Sequence, residues 1–410
     1  MKSITISHPS GQIDGSCIIT GSKSETNRLL ILQAQYPSIN LENISNSEDS
    51  QVMQKALSST SDIVDIHHAG TAMRFLTAFL ATKPKFNGQL TGSKRMQERP
   101  IGLLVEALQS LGAKISYVND EGYPPLQING TTFTKKEVSL PAHMSSQYIS
   151  ALMLIGPQQP QGLIIHLEGK ITSLPYIQMT LQLLERVGIQ AKMEGPKIHI
   201  MPHTSLEDNT QVIESDWSSA SYFYSMTALA QEAKVQISSY REDSLQGDSC
   251  LKEIYAQLGI HSSLANHQLQ LTKLPDFQLP DRLELDLVAS PDIAQTIAVT
   301  CFGLGISCDL KGLHTLKIKE TDRLVALQNE LGKLGANVEI TDDRLFLHPR
   351  KAQWNPELTI DTYNDHRMAM AFAPLALIAP LGINDPDVVQ KSYPDFWTDL
   401  SSLNFKIIKV

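Results

Sequence analysis

The sequence predicts an α/β protein of two domains, each built from three copies of one repeat. At 410 residues the chain is too long for a single hydrophobic core of ordinary size. Four segments share one pattern, in which an amphipathic helix ends in Leu-Gly or Val-Gly and two strands joined by a turn follow. The four glycines, at positions 112, 188, 259 and 335, are 76, 71 and 76 residues apart. This regular spacing indicates an internal repeat.

Each of these glycines stands where a helix must stop. Glycine adopts positive φ without steric cost, so it is the usual residue just past a helix C-terminus. The strand pairs that follow include residues 192–201, with a turn at Gly195-Pro196, and residues 338–348, with a turn at Asp342-Asp343. Both are typical of β-hairpins. Helices and strands also recur by chance in α/β proteins, but the matching hairpins favour a true repeat.

About six repeats fit the chain when the period is extended in both directions, to Ser58 and to Asn404. The first repeat is short, so we expect its hairpin to be trimmed. The last reaches the end of the sequence without a hairpin, and we expect strands near residues 3–7 and 17–20 to fold back and complete it. Three repeats per domain then predict a continuous domain, residues 21–213, and a second domain formed by residues 1–20 plus 214–410.

Composition disfavours two classes of protein, the nucleic-acid-binding and the membrane-spanning ones. Hydrophobic residues make up 42% of the chain and charged residues 19%, as in ordinary globular proteins. The net charge of -9 argues against a nucleic-acid partner. The longest apolar run, residues 368–381, is too short for a membrane span and contains two prolines. The four cysteines form no Cys-x-x-Cys pair and no spaced Cys/His set suggests a metal, so we expect a cytoplasmic protein without a signal segment.

Seven predicted helices begin with unusual sets of small, hydroxyl and charged side chains. These openings are residues 21–28, 69–74, 145–147, 216–219, 290–292, 319–323 and 364–367. Unpaired N–H groups and the helix dipole make a helix N-terminus favourable for anions. Any one opening taken alone is better explained by an ordinary N-cap. Seven of them, several with Lys or Arg in an acidic chain, predict a cleft that collects phosphate and carboxylate groups.

The same segments carry motifs that resemble, in order, those of the 5-enolpyruvylshikimate-3-phosphate synthases. The motifs are Gly21-Ser22-Lys23-Ser24 with Arg28, Gly70-Thr71-Ala72-Met73-Arg74, Glu98-Arg99-Pro100-Ile101, Ser145-Ser146-Gln147, Pro175-Tyr176-Ile177, Lys319-Glu320-Thr321-Asp322-Arg323 and Tyr363-Asn364-Asp365-His366-Arg367-Met368-Ala369-Met370. The match extends from about residue 12 to about residue 397, nearly the whole chain. The resemblance implies a two-domain inside-out α/β barrel of βαβαββ repeats, with the active site in the cleft between the domains.

The resemblance also implies a function. Members of the family are transferases of the shikimate pathway, which leads to chorismate and the aromatic amino acids. They transfer the enolpyruvyl group of phosphoenolpyruvate to the 5-hydroxyl of shikimate-3-phosphate and release phosphate. No metal or organic cofactor is implied. The expected partners are the two small-molecule substrates alone, without nucleic acid or membrane, and the expected state is a monomer.

Site residues follow from the resemblance position by position. Those implied for shikimate-3-phosphate, mainly on the continuous domain, are Lys23, Ser24, Arg28, Ser145, Ser146, Gln147, Ser173, Tyr176, Asp292 and Lys319. Those implied for phosphoenolpyruvate, assigned mainly to the second domain, are Lys23, Gly70, Arg99, Gln147, Arg323, Arg367 and Lys391. The implied catalytic residues are Lys23, Asp292 and Glu320. We assign Asp292 to the 5-hydroxyl proton, Glu320 to the proton of the methylene carbon, and Lys23 to charge on the phosphate.

The reaction itself calls for residues of this kind. Phosphoenolpyruvate carries a phosphate and a carboxylate, which favour forked Arg donors and Lys point charges. Addition places a proton on the methylene carbon while the acceptor hydroxyl loses one, and elimination reverses the carbon step. An acid and a base on separate segments suit that sequence.

Several positions depart from the family pattern. His68 stands where Asn is frequent, Phe75 where Pro is common, Leu174 where Lys is frequent and Thr315 where Asn is common. His68 and Phe75 flank the Gly70 motif, so they affect the expected shape of the phosphoenolpyruvate pocket and its sensitivity to the mimic glyphosate. Two alternatives share the fold: enolpyruvyl transfer to UDP-N-acetylglucosamine, and a catalytically inactive binding protein. The Ser145-Ser146-Gln147 and Asn364-Asp365-His366-Arg367 motifs favour the shikimate branch over the first alternative. Retention of Lys23, Asp292, Glu320 and Arg367 disfavours the second.

Overall fold

A computed structural model describes residues 2–141, 145–169, 171, 174–349, 354–355 and 357–410, except for the side chain of Ile318. The described chain forms two compact units. The continuous unit is Gly21–Ile213, and the two-segment unit combines Met1–Thr20 with Glu214–Val410.

The strands in chain order are β1 (Ser3–Ser7), β2 (Gln12–Cys17), β3 (Ile39–Glu42), β4 (Ile63–Asp65), β5 (Asn87–Thr91), β6 (Lys114–Tyr117), β7 (Leu126–Asn129), β8 (Glu137–Pro141), β9 (Leu163–Glu168), β10 (Ala191–Glu194), β11 (Lys197–Ile200), β12 (Asn209–Val212), β13 (Glu232–Ser238), β14 (Ile260–Ala265), β15 (Gln268–Lys273), β16 (Arg282–Asp286), β17 (Ser307–Lys311), β18 (Val338–Ile340), β19 (Leu345–Leu347), β20 (Thr359–Ile360), β21 (Leu381–Asn384) and β22 (Lys406–Lys409).

The α-helices are α1 (Lys23–Gln35), α2 (Glu48–Ser58), α3 (Gly70–Thr82), α4 (Lys94–Gln97), α5 (Gly102–Leu111), α6 (Ser146–Ile155), α7 (Leu174–Arg186), α8 (Trp217–Leu229), α9 (Leu251–Ala256), α10 (Ala294–Leu304), α11 (Arg323–Lys333), α12 (His366–Phe372) and α13 (Phe396–Ser402). Short 3₁₀ turns at Gly247–Cys250, Pro291–Ile293, His314–Ile318 and Pro386–Lys391 precede or follow several of them.

The sheets repeat one topology. The two-segment unit has three four-stranded sheets, ordered β2-β13-β15-β14, β16-β17-β19-β18 and β20-β21-β1-β22. In each sheet the first pair is parallel and the remaining pairs are antiparallel. A parallel pair needs a crossover, and a helix supplies it each time. The βαβαββ repeat is therefore present three times in this unit.

The continuous unit follows the same plan with one reduction. Its full sheets are ordered β4-β5-β7-β6 and β8-β9-β11-β10, and the third is the parallel pair β12-β3. Helix α2 leads directly from that pair to β4, and no strand lies between them in the described residues. The trimmed hairpin predicted for the first repeat is thus observed. The helices before Gly112 and Gly188 also end as predicted, because these glycines have φ of 109° and 92°.

One expectation about the first strands is half wrong. Strand β1 completes the last repeat as predicted, since Ile4 lies opposite both Ile383 and Lys409. The strand expected near residues 17–20 instead ends at Cys17 and pairs in parallel with β13. Its alternating pattern, with Ile13 and Cys17 buried, specifies a strand but not its neighbour. Strand β2 therefore begins a different repeat.

Central helices in both units are buried on nearly all sides. In α8, eleven of thirteen residues are buried, including Ser221 and Ser225. These hydroxyls are satisfied within the core: Ser221 Oγ lies 3.0 Å from Thr296 Oγ1, and Thr300 Oγ1 donates to Ser225 Oγ at 2.8 Å. Hydrogen-bonded hydroxyls let a helix pass through the core without unsatisfied polar groups. Such helices are rigid supports for the residues at their N-termini.

Candidate active site

In the two-segment unit, Arg323 is the centre of a buried ion network. It is the first residue of α11, which Asp322 caps by accepting hydrogen bonds from two backbone N–H groups. The Arg323 side chain is only 2% exposed. Its Nε donates to Asp365 Oδ2 at 2.6 Å, its Nη1 to Asp292 Oδ1 at 3.0 Å and its Nη2 to Glu320 Oε2 at 2.8 Å. One guanidinium thus fixes three carboxylates from three segments of the chain.

Three further cations contact the same carboxylates. Arg367 Nη2 lies 3.1 Å from Asp292 Oδ2, and Lys319 Nζ lies 3.4 Å from Asp292 Oδ1. Lys391 Nζ lies 2.7 Å from Glu320 Oε1. These three cations remain partly exposed, whereas Arg323 does not. The network therefore has three partly exposed cationic groups around a buried Arg323 at its centre.

The cations keep both candidate acid–base residues ionised. Burial acts to raise the pKa of Asp292, but Arg367, Lys319 and Arg323 outweigh it and hold that pKa well below its ordinary value. Burial likewise opposes ionisation of Glu320, but Arg323, Lys391 and His366 hold its pKa well below the ordinary value. Neighbouring positive charge favours the charged form of a carboxyl group. Both groups are proton acceptors in this structure.

A strained turn places Arg367 next to this network. Tyr363 and Asn364 both have φ of 55°, in the left-handed region that non-glycine residues rarely occupy. Buried Glu330, on α11, accepts a hydrogen bond from Tyr363 Oη at 2.6 Å and another from the backbone N–H of Asp361 at 3.0 Å. The turn ends at Asp365, whose side chain caps α12 by accepting from the Arg367 N–H. Helix α11 thus holds the turn at two places, through Glu330 at Asp361 and Tyr363 and through Arg323 at Asp365.

In the continuous unit, Lys23 opens α1 and pairs with a buried acid. Its Nζ lies 3.2 Å from Asp49 Oδ2, on α2. The Lys23 side chain is 26% exposed and that of Asp49 8%. The ammonium group is therefore held by a carboxylate, while the Lys23 side chain as a whole stays partly exposed.

Arg28 lies one turn further along α1 and is fully enclosed. Its Nε donates to Thr180 Oγ1 at 2.8 Å, its Nη1 to the Ser24 carbonyl at 2.8 Å and its Nη2 to Ser150 Oγ at 3.0 Å. The rings of Phe75 and Tyr176 have their centroids 5.4 and 5.7 Å from its Cζ, within cation–π range. Burial lowers the pKa of Arg28 to about 10, so it stays charged at neutral pH.

The Gly70 segment is packed against an arginine pair. A Cβ on Gly70 would lie 2.5 Å from Arg99 Nη1, so only glycine leaves room for that guanidinium. Buried Arg74 donates to the carbonyls of Gly70, at 3.2 Å, and Pro100, at 3.1 Å. Arg74 therefore links the start of α3 to the loop that carries Arg99.

The remaining predicted residues surround these groups. Gln147 Nε2 donates to Thr71 Oγ1 at 3.2 Å, joining the starts of α6 and α3. Ser145 caps α6 by accepting from the Gln147 N–H, and Ser146 is buried behind it. Ser173 lies outside the described residues. His68 is exposed, with Nδ1 2.7 Å from Ser93 Oγ, the side chain that caps α4.

Comparison with known families identifies the same family as the resemblance did. The family model described as EPSP synthase (3-phosphoshikimate 1-carboxyvinyltransferase) matches residues 39–400. The chain belongs to the EPSP synthase family. A relative named 3-phosphoshikimate 1-carboxyvinyltransferase from Bacteroides fragilis strain YCH46 is 42% identical, with 98% of each chain covered. One of the same name from Sodalis glossinidius is 34% identical, covering 97% of this chain and 96% of the relative.

Solved structures show the fold of the EPSP synthases in this chain. The EPSP synthase from Acinetobacter baumannii has a TM-score of 0.78 at 20% identity, covering 99% of this chain and all of the other. The enolpyruvyl transferase NikO from Streptomyces tendae has a TM-score of 0.75 at 13% identity, covering 100% of this chain and 99% of the other. The predicted inside-out α/β barrel fold of enolpyruvyl transferases is confirmed.

The geometry brings together some of the residues that the resemblance to the EPSP synthases implies, and it adds others. Asp292, Lys319, Glu320, Arg323, Arg367 and Lys391 form one network. In the continuous unit, direct contacts between described predicted residues include Arg28 with Ser24 and Tyr176, Gly70 with Arg99, and Ser145 with Gln147. Residues that the sequence did not single out include Asp49, Arg74, Glu330 and Asp365. Arg74 and Asp365 lie within quoted motifs, whereas Asp49 and Glu330 carry no local signal and become evident only through their partners.

Proposed function

We propose that this protein transfers the enolpyruvyl group of phosphoenolpyruvate to the 5-hydroxyl of shikimate-3-phosphate and releases phosphate. The observation that carries the proposal is the network in which Asp292 and Glu320 share Arg323 while three partly exposed cations surround them. It combines two proton-transfer groups with positive charge for an anion. Its residues Lys319, Glu320, Arg323 and Arg367 lie within the EPSP synthase motifs, and the relatives named above carry the same activity in their names.

The cations supply the charge that phosphoenolpyruvate requires. In this proposal Arg323 and Arg367 attract its carboxylate, while Lys391, Lys23 and Arg99 attract its phosphate. Forked guanidinium donors match a carboxylate, and ammonium groups act as point charges for phosphate. Gly70 admits the ligand beside Arg99, and Gln147 borders the same segment through Thr71.

Residues of the continuous unit are proposed to hold shikimate-3-phosphate. The hydroxyls of Ser24, Ser145 and Ser146, together with Ser173, are suited to its phosphate. Arg28 is enclosed by its own partners, so we assign it the role of fixing Ser24 and Tyr176. Lys319 Nζ and Asp292 Oδ1 lie 3.4 Å apart, and both residues are proposed to contact the acceptor as well.

The ion pairs of Glu320 explain how its carboxyl group can change from ionised to protonated during the reaction. Asp292, ionised and held by Arg323, accepts the 5-hydroxyl proton as that oxygen attacks C2 of phosphoenolpyruvate. Glu320 delivers a proton to C3 and later removes one as C2–O cleavage expels phosphate. When the substrate carboxylate and phosphate draw on Lys391 and Arg323, the pKa of Glu320 rises from its low value and protonation becomes accessible. Lys23 balances negative charge on the leaving phosphate.

A phosphate-release assay with each acceptor tests the proposal. The purified protein with phosphoenolpyruvate is expected to release phosphate when shikimate-3-phosphate is added and not when UDP-N-acetylglucosamine is added. Release only with the nucleotide sugar would assign the protein to the other branch. Shikimate-3-phosphate binding without release would indicate an inactive descendant, and Lys23→Met, which removes a proposed phosphate ligand, serves as the negative control.

Within the residues described, no helix is both long enough and apolar enough to cross a bilayer. We propose the cytoplasm as the site of action and a monomer as the working form. Both substrates are small anions, and the proposed chemistry requires no nucleic acid, membrane or cofactor.

A further inference from the structure

Asp248, a residue outside the sequence-predicted set, is connected to the ion network by hydrogen bonds. It lies in the 3₁₀ turn Gly247–Cys250, next to the N-terminus of α8. Ser218 Oγ donates to Asp248 Oδ2 at 2.5 Å and accepts from Arg367 Nη2 at 3.3 Å. The same Nη2 lies 3.1 Å from Asp292 Oδ2. Arg367 therefore lies between two carboxyl groups, one reached directly and the other through a hydroxyl.

We infer that Asp248 is a positioning residue for the anion site: it binds a proton when phosphoenolpyruvate binds at Arg367, and it releases that proton when the ligand leaves. The inference rests on the proposed function, because it takes the carboxylate of phosphoenolpyruvate as the ligand of Arg367. Phosphoenolpyruvate brings negative charge to the Arg367 guanidinium, which already compensates the negative charges of Asp292 and Asp248. Of these two acids, Asp292 contacts Arg367 directly and Asp248 only through Ser218, so Asp248 is the one that takes up a proton.

The charged groups around Asp248 explain why this carboxyl differs from Asp292. Burial raises the pKa of Asp248 to about 7, and the negative charges of Asp292 and Asp216 act in the same direction. The Ser218 hydrogen bond and Arg367 oppose the rise only in part. From its own turn, the Cys250 thiol is neutral, since burial raises its pKa to about 11. Asp292, in contrast, has Arg323, Lys319 and Arg367 around it.

Asp248→Asn isolates the charge because the amide keeps the size of the side chain and can still accept from Ser218. With saturating shikimate-3-phosphate, the wild-type KM for phosphoenolpyruvate is expected to exceed that of the variant increasingly as pH rises. The KM of the wild type divided by the KM of the variant is expected to be close to one at pH 6 and to approach about ten at pH 8. Uptake of a single proton allows no larger change, because its limit is about tenfold per pH unit above the pKa. Taking the ratio cancels the titration of the substrate itself. Glu253→Gln, an exposed carboxyl on α9, is the matched control and is expected to follow the wild type.

A KM ratio that is constant from pH 6 to pH 8 would overturn the inference, even if the variant binds phosphoenolpyruvate weakly throughout. Such a result would leave Asp248 with a purely structural role. Ser218→Ala provides a second variant if Asp248→Asn does not fold. It removes a bond that favours the ionised carboxylate, so the rise in KM is expected to begin at higher pH, and an unchanged onset would contradict the inference.

Thermal unfolding of the unliganded proteins distinguishes this inference from the proposed function. A carboxyl with a raised pKa contributes stability below its unfolded pKa and loses it as pH rises through the folded pKa. The Tm of Asp248→Asn minus that of the wild type is expected to increase between pH 5 and pH 8. An increase without enzyme activity would reject the proposed reaction but retain the titration of Asp248. A constant difference would reject the titration, whatever the activity.

Discussion

At the residue scale, Arg323 combines nearly complete burial with contacts to Asp292, Glu320 and Asp365. Removing an ion from water costs several kcal/mol, so a buried guanidinium persists only where its donors are well satisfied. Here the three carboxylates carry three negative charges, against four positive charges on Arg323, Arg367, Lys319 and Lys391. This set has a net charge of +1, which favours an incoming anion.

Glu320→Gln tests the proton role at this scale. An amide keeps the shape of the side chain but cannot transfer the proton, so kcat is expected to fall by about 10² or more. The KM values for both substrates are expected to change only a few-fold. Steady-state phosphate release measures both quantities, and Glu339→Gln, an exposed carboxyl on β18, is the control. A variant with near-normal kcat would remove Glu320 from the mechanism.

At the element scale, many of the proposed site residues lie at the starts of helices. The start of α3 is closely packed against an arginine. Gly70 begins α3 in contact with the Arg99 guanidinium, and Arg74 donates back to the Gly70 carbonyl. The helix start, the arginine loop and Gln147 at the start of α6 form one connected group. A small change in any one of them is therefore expected to move the others.

Gly70→Ala measures this packing. The added Cβ would lie 2.5 Å from Arg99 Nη1, so the arginine must shift. The KM for phosphoenolpyruvate is expected to rise about tenfold or more, equivalent to roughly 1.4 kcal/mol, while the KM for shikimate-3-phosphate changes little. Gly332→Ala is the matched control because a Cβ there meets nothing within 4 Å. Equal changes in both KM values would show general damage to the unit instead of displacement of Arg99.

Asp309 on β17 links Arg282 on β16 to Arg344, the residue before β19, and makes the stability of this sheet depend on pH. Its buried carboxylate, on β17, accepts from Arg344 Nε at 2.5 Å and Arg282 Nη2 at 2.6 Å. Hydrogen bonds from Arg344 hold the pKa of Asp309 below its ordinary value, and Arg282 adds to the effect. A lowered pKa gives stability above the unfolded pKa, which is lost as pH falls through the folded one.

Asp309→Asn is therefore expected to lower the free energy of unfolding by about 1–3 kcal/mol at pH 7. The difference from the wild type is expected to shrink as pH falls below about 4, where the unfolded carboxyl is protonated. Urea denaturation at pH 7 and pH 3.5 measures it. Asp342→Asn, whose carboxylate is 94% exposed, is expected to cost little at either pH. A penalty that does not depend on pH would show that packing, and not charge, is lost.

At the scale of the whole molecule, the two units differ in how the chain builds them. The continuous unit is one segment, Gly21–Ile213, whereas the other unit draws on both Met1–Thr20 and Glu214–Val410. Each contains its own buried hydrophobic residues. Strands β1 and β2 bring the short segment into two different sheets of the two-segment unit. The short segment is therefore part of the core of that unit.

Fragments test this difference. Residues 21–213 alone are expected to unfold in one cooperative transition with an α/β circular dichroism spectrum, because the fragment keeps all its sheet partners. Residues 214–410 alone are expected to lack a cooperative transition, since β21 and β22 lose the strand between them. Adding a peptide of residues 1–20 is expected to restore it. Cooperative folding of residues 214–410 without the peptide would contradict this account.

The sequence predicted most of the architecture because periodicity is a property of the chain itself. The glycine spacing located the repeats, and the missing hairpin appeared as a shortened interval. The partner of β2 could not be predicted, because alternation of buried residues identifies a strand without its neighbour. The candidate site was only partly predictable, because a sequence pattern does not show which distant residues come into contact.

Motifs placed Arg323 and Glu320 in the site. Asp49 and Asp248 owe their roles to contacts with residues that are distant in the sequence.

The position of β1 has a consequence for synthesis on the ribosome. It lies in the interior of its sheet, between β21 and β22, although it precedes β21 by more than 370 residues. At ordinary rates of translation, on the order of 10 residues per second, this strand emerges roughly half a minute before either neighbour exists. During that interval its Ile4 and Ile6 side chains, later buried, have no sheet to join. The nascent chain must therefore keep an apolar strand unpaired while the continuous unit folds. Binding of chaperones to β1 during synthesis can be measured, and this topology predicts it.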